Sequence, residues 1–243
     1  MTPDGPPPVD AAASWADLRG QILRTAAGVG VATGAYGLSF GALATASGLS
    51  VAQACALSVL TFSGGSQFAL IGVLGAGGNI VSGSGSAVLL GARNLLYGAR
   101  LAAPLSLTGW RRAVGAHLVI DESTAVSLAS EDRGDRASRL GFWATGLAVF
   151  VLWNLATLVG AVAGTAIGDP RDYGLDAAVP AAFLALVAPR LRTLPTWVTA
   201  VAAAAVALAV VPLVPAGVPV LLAALVPVAV VLVRRPDKEA EAS

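Results

Sequence analysis

"FSGGSQFALIGVLGAGG", residues 62–78, interrupts a long apolar tract with paired glycines, serines and a glutamine. Glycine inside a helix costs about 1 kcal/mol relative to alanine. A buried glutamine needs hydrogen-bond partners that hydrocarbon does not supply. The surrounding tract holds no Asp, Glu, Lys, Arg or His from Thr25 to Ala92, and the same is true of Leu140 to Gly168 and of Thr193 to Val233. About 20 apolar residues cross a bilayer, so each tract supplies at least one crossing. Charged residues are 12% of the chain and hydrophobic ones 56%, where a soluble domain carries roughly 25% charged residues. The sequence therefore reads as an all-α, polytopic helical membrane protein. About seven or eight hydrophobic segments are expected, some broken or re-entrant near the midplane. A membrane β-barrel would show short alternating segments instead.

The net charge of +1 gives no electrostatic case for nucleic-acid binding. Cys55 and His117 are the only residues of their kinds, so an intrachain disulfide and a Cys/His zinc site are excluded by count. No metal or cofactor is expected. Residues 1–20 are Pro-rich and acidic and read as a disordered cytoplasmic tail rather than a cleaved signal peptide, with a short amphipathic lead at Trp15, Leu18 and Ile22. Residues 21–233 read as one transmembrane domain and residues 234–243 as a soluble tail.

Outward from the opening stretch, the first span covers Ile22 to Ser47. Its Gly30, Gly34, Gly37 and Gly41 have the spacing that lets a second helix backbone approach. Val51 to Gly77 follows, then a polar break at Asn79–Ser86, a stretch at 87–107 and one at 116–130. After the polar loop "EDRGDRASR" come Leu140–Gly168, the loop "DPRDYGLD", Leu175–Ala188, Thr196–Val211 and Val218–Val233. Arginines at 19, 24, 133, 136, 139, 190, 192, 234 and 235 mark one side. The positive-inside rule then places both termini in the cytoplasm. The segments up to residue 130 must make an even number of crossings, and four is the preferred count.

Ionisable groups inside membrane segments mark functional sites by default. Arg93, Tyr97 and Arg100 share a helical face, and Asp121 and Glu122 are adjacent, so only one of the two carboxylates is expected to face a given partner. An Arg–carboxylate pair between helices would lower the cost of both. Arg100 also suits a span end reaching for headgroups, and His117 an interface.

At these residues "GGSQFALIGVLGAGG", "RNLLYGARL" and "IDESTAV" resemble, in order and separation, the signatures of the AzlC-type branched-chain amino-acid permease family. The late "LDAAVPAAFLALV" fits as well, so the resemblance covers almost everything after the tail. Gly65, Asn94 and Ile120 stand where the family usually has alanine, histidine and threonine. Asparagine cannot titrate, so a proton relay at Asn94 is in question. The resemblance implies a bacterial cytoplasmic-membrane exporter of branched-chain or other hydrophobic amino acids, working with a small AzlD-type membrane partner.

The expected mechanism starts from a helix broken at Gly64 and Gly65 and restarted with Ser66 as N-cap, whose free N–H groups receive a carboxylate. Gln67 faces substrate or holds the break open. Phe62 and Phe68 line the apolar part, and Arg93, Asn94 and Tyr97 complete the substrate site. Asp121 and Glu122 are the candidates for the substrate ammonium and for proton coupling. No phosphate-binding loop is present, so an ion gradient is the expected driving force. An ion or small-solute channel and a non-transporting scaffold subunit are the alternatives; an enzyme is not expected.

Overall fold

The computed structural model describes residues 15–166, 184, 187, 188 and 191–233. Among the described residues there are helices and no strand. They are α1 (Trp15–Ala46), α2 (Val51–Leu60), α3 (Gly64–Gly75), α4 (Ile80–Gly91), α5 (Arg93–Leu105), α6 (Gly109–His117), α7 (Asp121–Leu128), α8 (Asp135–Ala166), α9 (Leu194–Val210), α10 (Val218–Ala223) and α11 (Leu225–Val233), with a 3-10 turn at Glu131–Arg133. The loop at 169–176, most of segment 175–188, the tail before Trp15 and the tail after Val233 lie outside the described residues. The tail boundary drawn at residue 20 falls inside α1, because the amphipathic lead and the first span form one continuous helix.

Among the described residues two helices, α1 and α8, are long and apolar enough to cross a membrane. Each has 32 residues, about 48 Å of helix against a hydrocarbon core of about 30 Å. They pack along their glycines. A Cβ at Gly34 would stand 2.7 Å from Leu152 Cβ, one at Gly37 2.6 Å from the Trp153 carbonyl, and one at Gly41 against the Thr157 carbonyl. From the other side Gly160 meets Leu38 and Gly164 meets Ala42 and Thr45. Residue numbers rise together along this seam, so the two helices run parallel. Outward-facing Val151, Leu155, Leu158, Val159 and Val162 on α8 are exposed, as a lipid-facing surface requires.

The segments between the parallel pair form an inverted arrangement. α2 descends antiparallel to α8, with Ser58 bonded to Thr157 and Phe62 against Phe150. α3 then climbs back parallel to α1, with Phe68 against Phe40 and Gly75 against Ser47. These two helices are a re-entrant hairpin with its tip at Thr61–Ser63. α4 returns from the Ser47 end beside α3, and α5 continues to the other end, where Arg100 bonds Glu131 and Arg139 bonds the Pro104 carbonyl. α6 and α7 form a second hairpin from that opposite end. Gly115 lies by Phe142 and His117 by Phe150 on the way in; Val126 lies by Gly141 and Ser127 by Ser138 on the way out. Its tip at Leu118–Ile120 meets the first, with Phe62 and His117 rings 5.9 Å apart.

A span followed by a hairpin thus occurs twice with opposite sense, the design that places sites at a midplane. It corrects the preferred crossing count. Hairpin arms of 10, 12, 9 and 8 residues are about 12–18 Å long, too short to cross. Within residues 15–130, α1 is the one helix that is by itself long and apolar enough to cross.

The polar break expected at Asn79–Ser86 is instead mostly helix. Asn79 caps α4 through the Ser82 N–H at 2.9 Å. Ser86 and Ser82 hydroxyls bond carbonyls one turn back or those of Gly217 and Ala216. The small residues serve close packing: a Cβ at Gly83 would lie 2.8 Å from Leu70. The expected span at Val218–Val233 is interrupted at Ala224. Pro227 has no N–H and its ring clashes with the carbonyl four residues back.

The two ends of the α1–α8 pair differ in charge. Arg19 and Arg24 lie at the start of α1, Arg111 and Arg112 at the start of α6, and Arg133, Arg136 and Arg139 around the start of α8. Arg136 sits 4.1 Å from the centre of the Trp15 ring. At the opposite end residues 46–51 and 75–80 carry no charged side chain.

Candidate functional site

A cavity of about 240 Å³ lies where the two hairpin tips meet α1, α8 and the start of α5. The first tip supplies Phe62, Ser63, Gly64, Gly65 and Phe68, the α5 start Arg93 and Asn94, and the second tip Ile120, Asp121 and Glu122. Thr33 and Tyr36 of α1 and Val149 and Trp153 of α8 close it.

The first tip differs in register from the sequence expectation. α3 restarts at Gly64, so Ser63 is the N-cap and Ser66 lies inside the first turn. Ser63 makes no side-chain bond to the helix N–H groups; its hydroxyl is 3.2 Å from that of Ser66. An uncapped first turn therefore opens on the cavity, a helix end that favours an anion. The glycines allow close approach there. A Cβ on Gly65 would be 3.1 Å from Arg93 Nη2, and one on Gly64 3.3 Å from the Trp153 ring.

Gln67 stands behind this wall, fully buried. Its Nε2 donates to the carbonyls of Leu57 and Ser58, both at 3.2 Å. The Ser58 carbonyl would otherwise lose its partner, because α2 ends before Phe62 can supply one. Gln67 ties the hairpin arms together and does not line the cavity. Gln67→Leu is expected to lower stability by about 1–3 kcal/mol, the cost of a buried carbonyl left unmade. A reduced melting temperature of the purified protein with an unchanged KM checks this.

Arg93 extends from the α4–α5 junction rather than from mid-helix, because α4 ends at Gly91, where a Cβ would lie 3.0 Å from the Ser66 hydroxyl. Its Nη2 is 2.8 Å from Asp121 Oδ2, an Arg–carboxylate pair of the kind expected between these helices. Arg93 Nε and Asn94 Oδ1 are buried without a hydrogen-bond partner among the described residues. Asp121 and Glu122 both line the cavity, but only Asp121 pairs with Arg93, as the adjacency of the two carboxylates implies. They occupy the first turn of a hairpin arm, and the cavity wraps that turn. Thr33 donates to Glu122 Oε1 at 3.4 Å. Glu122 forms no ion pair among the described residues.

Ile120 sits at the N-cap of α7, where it has no oxygen to offer; Ser123 compensates in part by accepting from the Ile120 N–H at 3.1 Å. Tyr97 packs against the core one turn past Arg93 and is not among the cavity walls. Arg100 points to the basic end and makes a two-pronged pair with Glu131, at 2.6 and 3.0 Å.

The three sequence motifs thus meet in one place. The model of the family described as AzlC protein matches residues 28–167, more than half of the chain. The chain belongs to the AzlC family. The matched region holds every wall of the cavity. The AzlC family is a transporter family associated with amino-acid transport, and its membership agrees with the apolar helices in marking a membrane protein. No curated protein and no solved structure matches the chain.

Sequence reasoning had not singled out Thr33, Tyr36, Val149 or Trp153. Thr33 and Tyr36 flank the glycine face of α1, and Trp153 sits mid-span, away from the interface that usually holds tryptophan. Those positions were the available signals.

Proposed function

We propose that this AzlC protein is a secondary carrier that exports branched-chain or other apolar amino acids from the bacterial cytoplasm in exchange for protons. The observation that carries this reading is the division of the cavity into three chemistries. The α3 N-terminus and Arg93 form a positive region suited to a carboxylate. Asp121 and Glu122 offer acceptors for an ammonium. Phe62, Phe68, Ile120, Val149 and Trp153 form an apolar wall for an aliphatic side chain. The volume suits a molecule of amino-acid size rather than a drug-sized ligand.

Glu122 is assigned the coupling role: the same carboxylate takes either the substrate ammonium or a proton. The arginine-rich end is assigned to the cytoplasm by the positive-inside rule, which puts the N-terminus there. A small AzlD-type membrane subunit is the assigned partner.

Valine-loaded proteoliposomes test the carrier reading. Saturable uptake and counterflow of radiolabelled valine are expected; linear, non-saturating flux without counterflow identifies a channel instead. For Glu122→Gln, KM for valine should rise about tenfold, the weight of one charge-assisted contact, and flux should lose its dependence on a pH gradient. An unchanged pH-gradient response in that variant removes Glu122 from coupling.

A further inference from the structure

A second concavity, a groove of about 640 Å³, runs between α1 and α7 and is lined by Gln21, Ile22, Arg24 and Thr25 on one side and by Ala125, Val126, Ala129, Ser130 and Arg133 on the other. It opens at the arginine-rich end. At helical spacing Ile22, Thr25, Thr33 and Tyr36 share one face of α1, and Glu122, Ala125, Val126 and Ala129 share one face of α7. The groove therefore follows the same two helix faces that end in the cavity. Between groove and cavity α1 packs against α7, and there the Thr33 hydroxyl donates to Glu122 Oε1 at 3.4 Å. Small side chains at Thr25, Ala125 and Ala129 keep the trough open, and all three are exposed. Arg24 and Arg133 flank its mouth, and neither has an ion-pair partner among the described residues.

We propose that this groove is an outer binding site for the same zwitterionic apolar amino acid and its route between the basic face and the cavity. The inference rests on the carrier reading above. The substrate carboxylate first meets Arg24 and Arg133. Its side chain then lies along Ile22 and Val126. It reaches the cavity when the α6–α7 hairpin moves from α1 and the Thr33–Glu122 contact opens. Glu122 is thus both the last group of the path and the first cation-attracting group of the cavity.

The experiment uses the full chain in proteoliposomes, with the single native cysteine removed as Cys55→Ser, a position on α2 outside both sites. Ala129→Cys is introduced and treated with a charged, membrane-impermeant thiol reagent. Labelling is expected only from the arginine-rich side, slowed by excess valine, and accompanied by a loss of valine flux of about tenfold or more as the path is plugged. Arg24→Gln/Arg133→Gln is expected to raise KM about fivefold at low salt with Vmax retained, the weight of two screened surface charges.

Labelling that leaves flux intact overturns the proposal. So does a double variant whose defect lies in Vmax and follows the anionic-lipid content of the vesicle; that result assigns the groove to a phospholipid headgroup. Valine binding to the detergent-solubilised protein separates this failure from failure of the carrier reading. A protein that binds valine but transports it normally with a blocked groove lacks only the path. One that binds no valine in any form lacks the cavity site as well.

Discussion

Arg93→Gln is expected to lower valine transport about thirtyfold to a hundredfold while leaving the protein inserted in the membrane. Removing one partner of a hydrogen-bonded charge pair costs about 2–5 kcal/mol in transition-state or binding terms. The side chains of Arg93 and Asp121 are 34% and 26% exposed, so solvent takes up part of the loss and the lower end applies. Two effects add. Asp121 loses the guanidinium 2.8 Å away, and the cavity loses the charge that lies over the first turn of α3. Arg93→Lys should keep part of the activity, since an ammonium restores the charge but not the fork that spans Gly65 and Asp121. Initial rates in proteoliposomes, normalised to inserted protein, check both. Equal rates for Arg93→Gln and the unaltered protein leave Arg93 without a transport role.

The largest effect on folding is expected at Gly41. A Cβ there would collide with the Thr157 carbonyl and stand 2.5 Å from the Ala161 backbone nitrogen. Neither atom can move without moving α8. Overpacking a core costs about 1–3 kcal/mol when side chains can shift; here the opposing atoms are backbone, so Gly41→Leu should exceed that range and separate the two long helices. Both hairpins lean on α8, so the cavity is lost with the seam. Gly28→Leu is the matched control, since nothing lies within 4 Å of a Cβ at that position. Size-exclusion profiles of detergent extracts should show aggregate for Gly41→Leu and a monodisperse peak for Gly28→Leu. Two monodisperse peaks contradict the seam.

Much of this was legible in the chain itself. Charge-free tracts announced membrane helices, because ionisable groups are costly there. The glycine spacing of α1 announced a close helix neighbour. Arg93 and the adjacent Asp121 and Glu122 stood out as rare charges in apolar surroundings that one Arg–carboxylate pair would stabilise, and the structure selects Asp121. The missing parts have physical reasons too. Hydropathy does not distinguish two short re-entrant arms from one crossing, so α6 and α7 read as a span. Asn79–Ser86 read as a polar break, since the serine hydroxyls look unsatisfied until the carbonyls of Ala216 and Gly217 are beside them. The N-cap fell on Ser63 rather than Ser66 because the chain leaves α2 at Thr61, immediately after its last turn. Trp153 came from a distant helix, and only the parallel seam brings it to Gly64.

The inverted pair of hairpins also explains why the opening residues are of those types. Gly64 and Gly65 bring a helix start against an indole and a guanidinium, and Gln67 takes the carbonyls that the turn abandons. The two tips present unlike ends: an uncapped helix start on α3 and two carboxylates on α7. A zwitterion matches that pair in one orientation.

Equilibrium binding of radiolabelled valine to the purified protein, displaced in turn by valine, valinamide and N-acetylvaline, tests this most directly. Valinamide lacks the carboxylate and N-acetylvaline lacks the ammonium. Each should displace the label about a hundredfold more weakly than valine or leucine, since a site built for a polar group strongly rejects the analogue without it. If both blocked analogues compete as well as valine, the cavity does not read the two charges and the account is wrong.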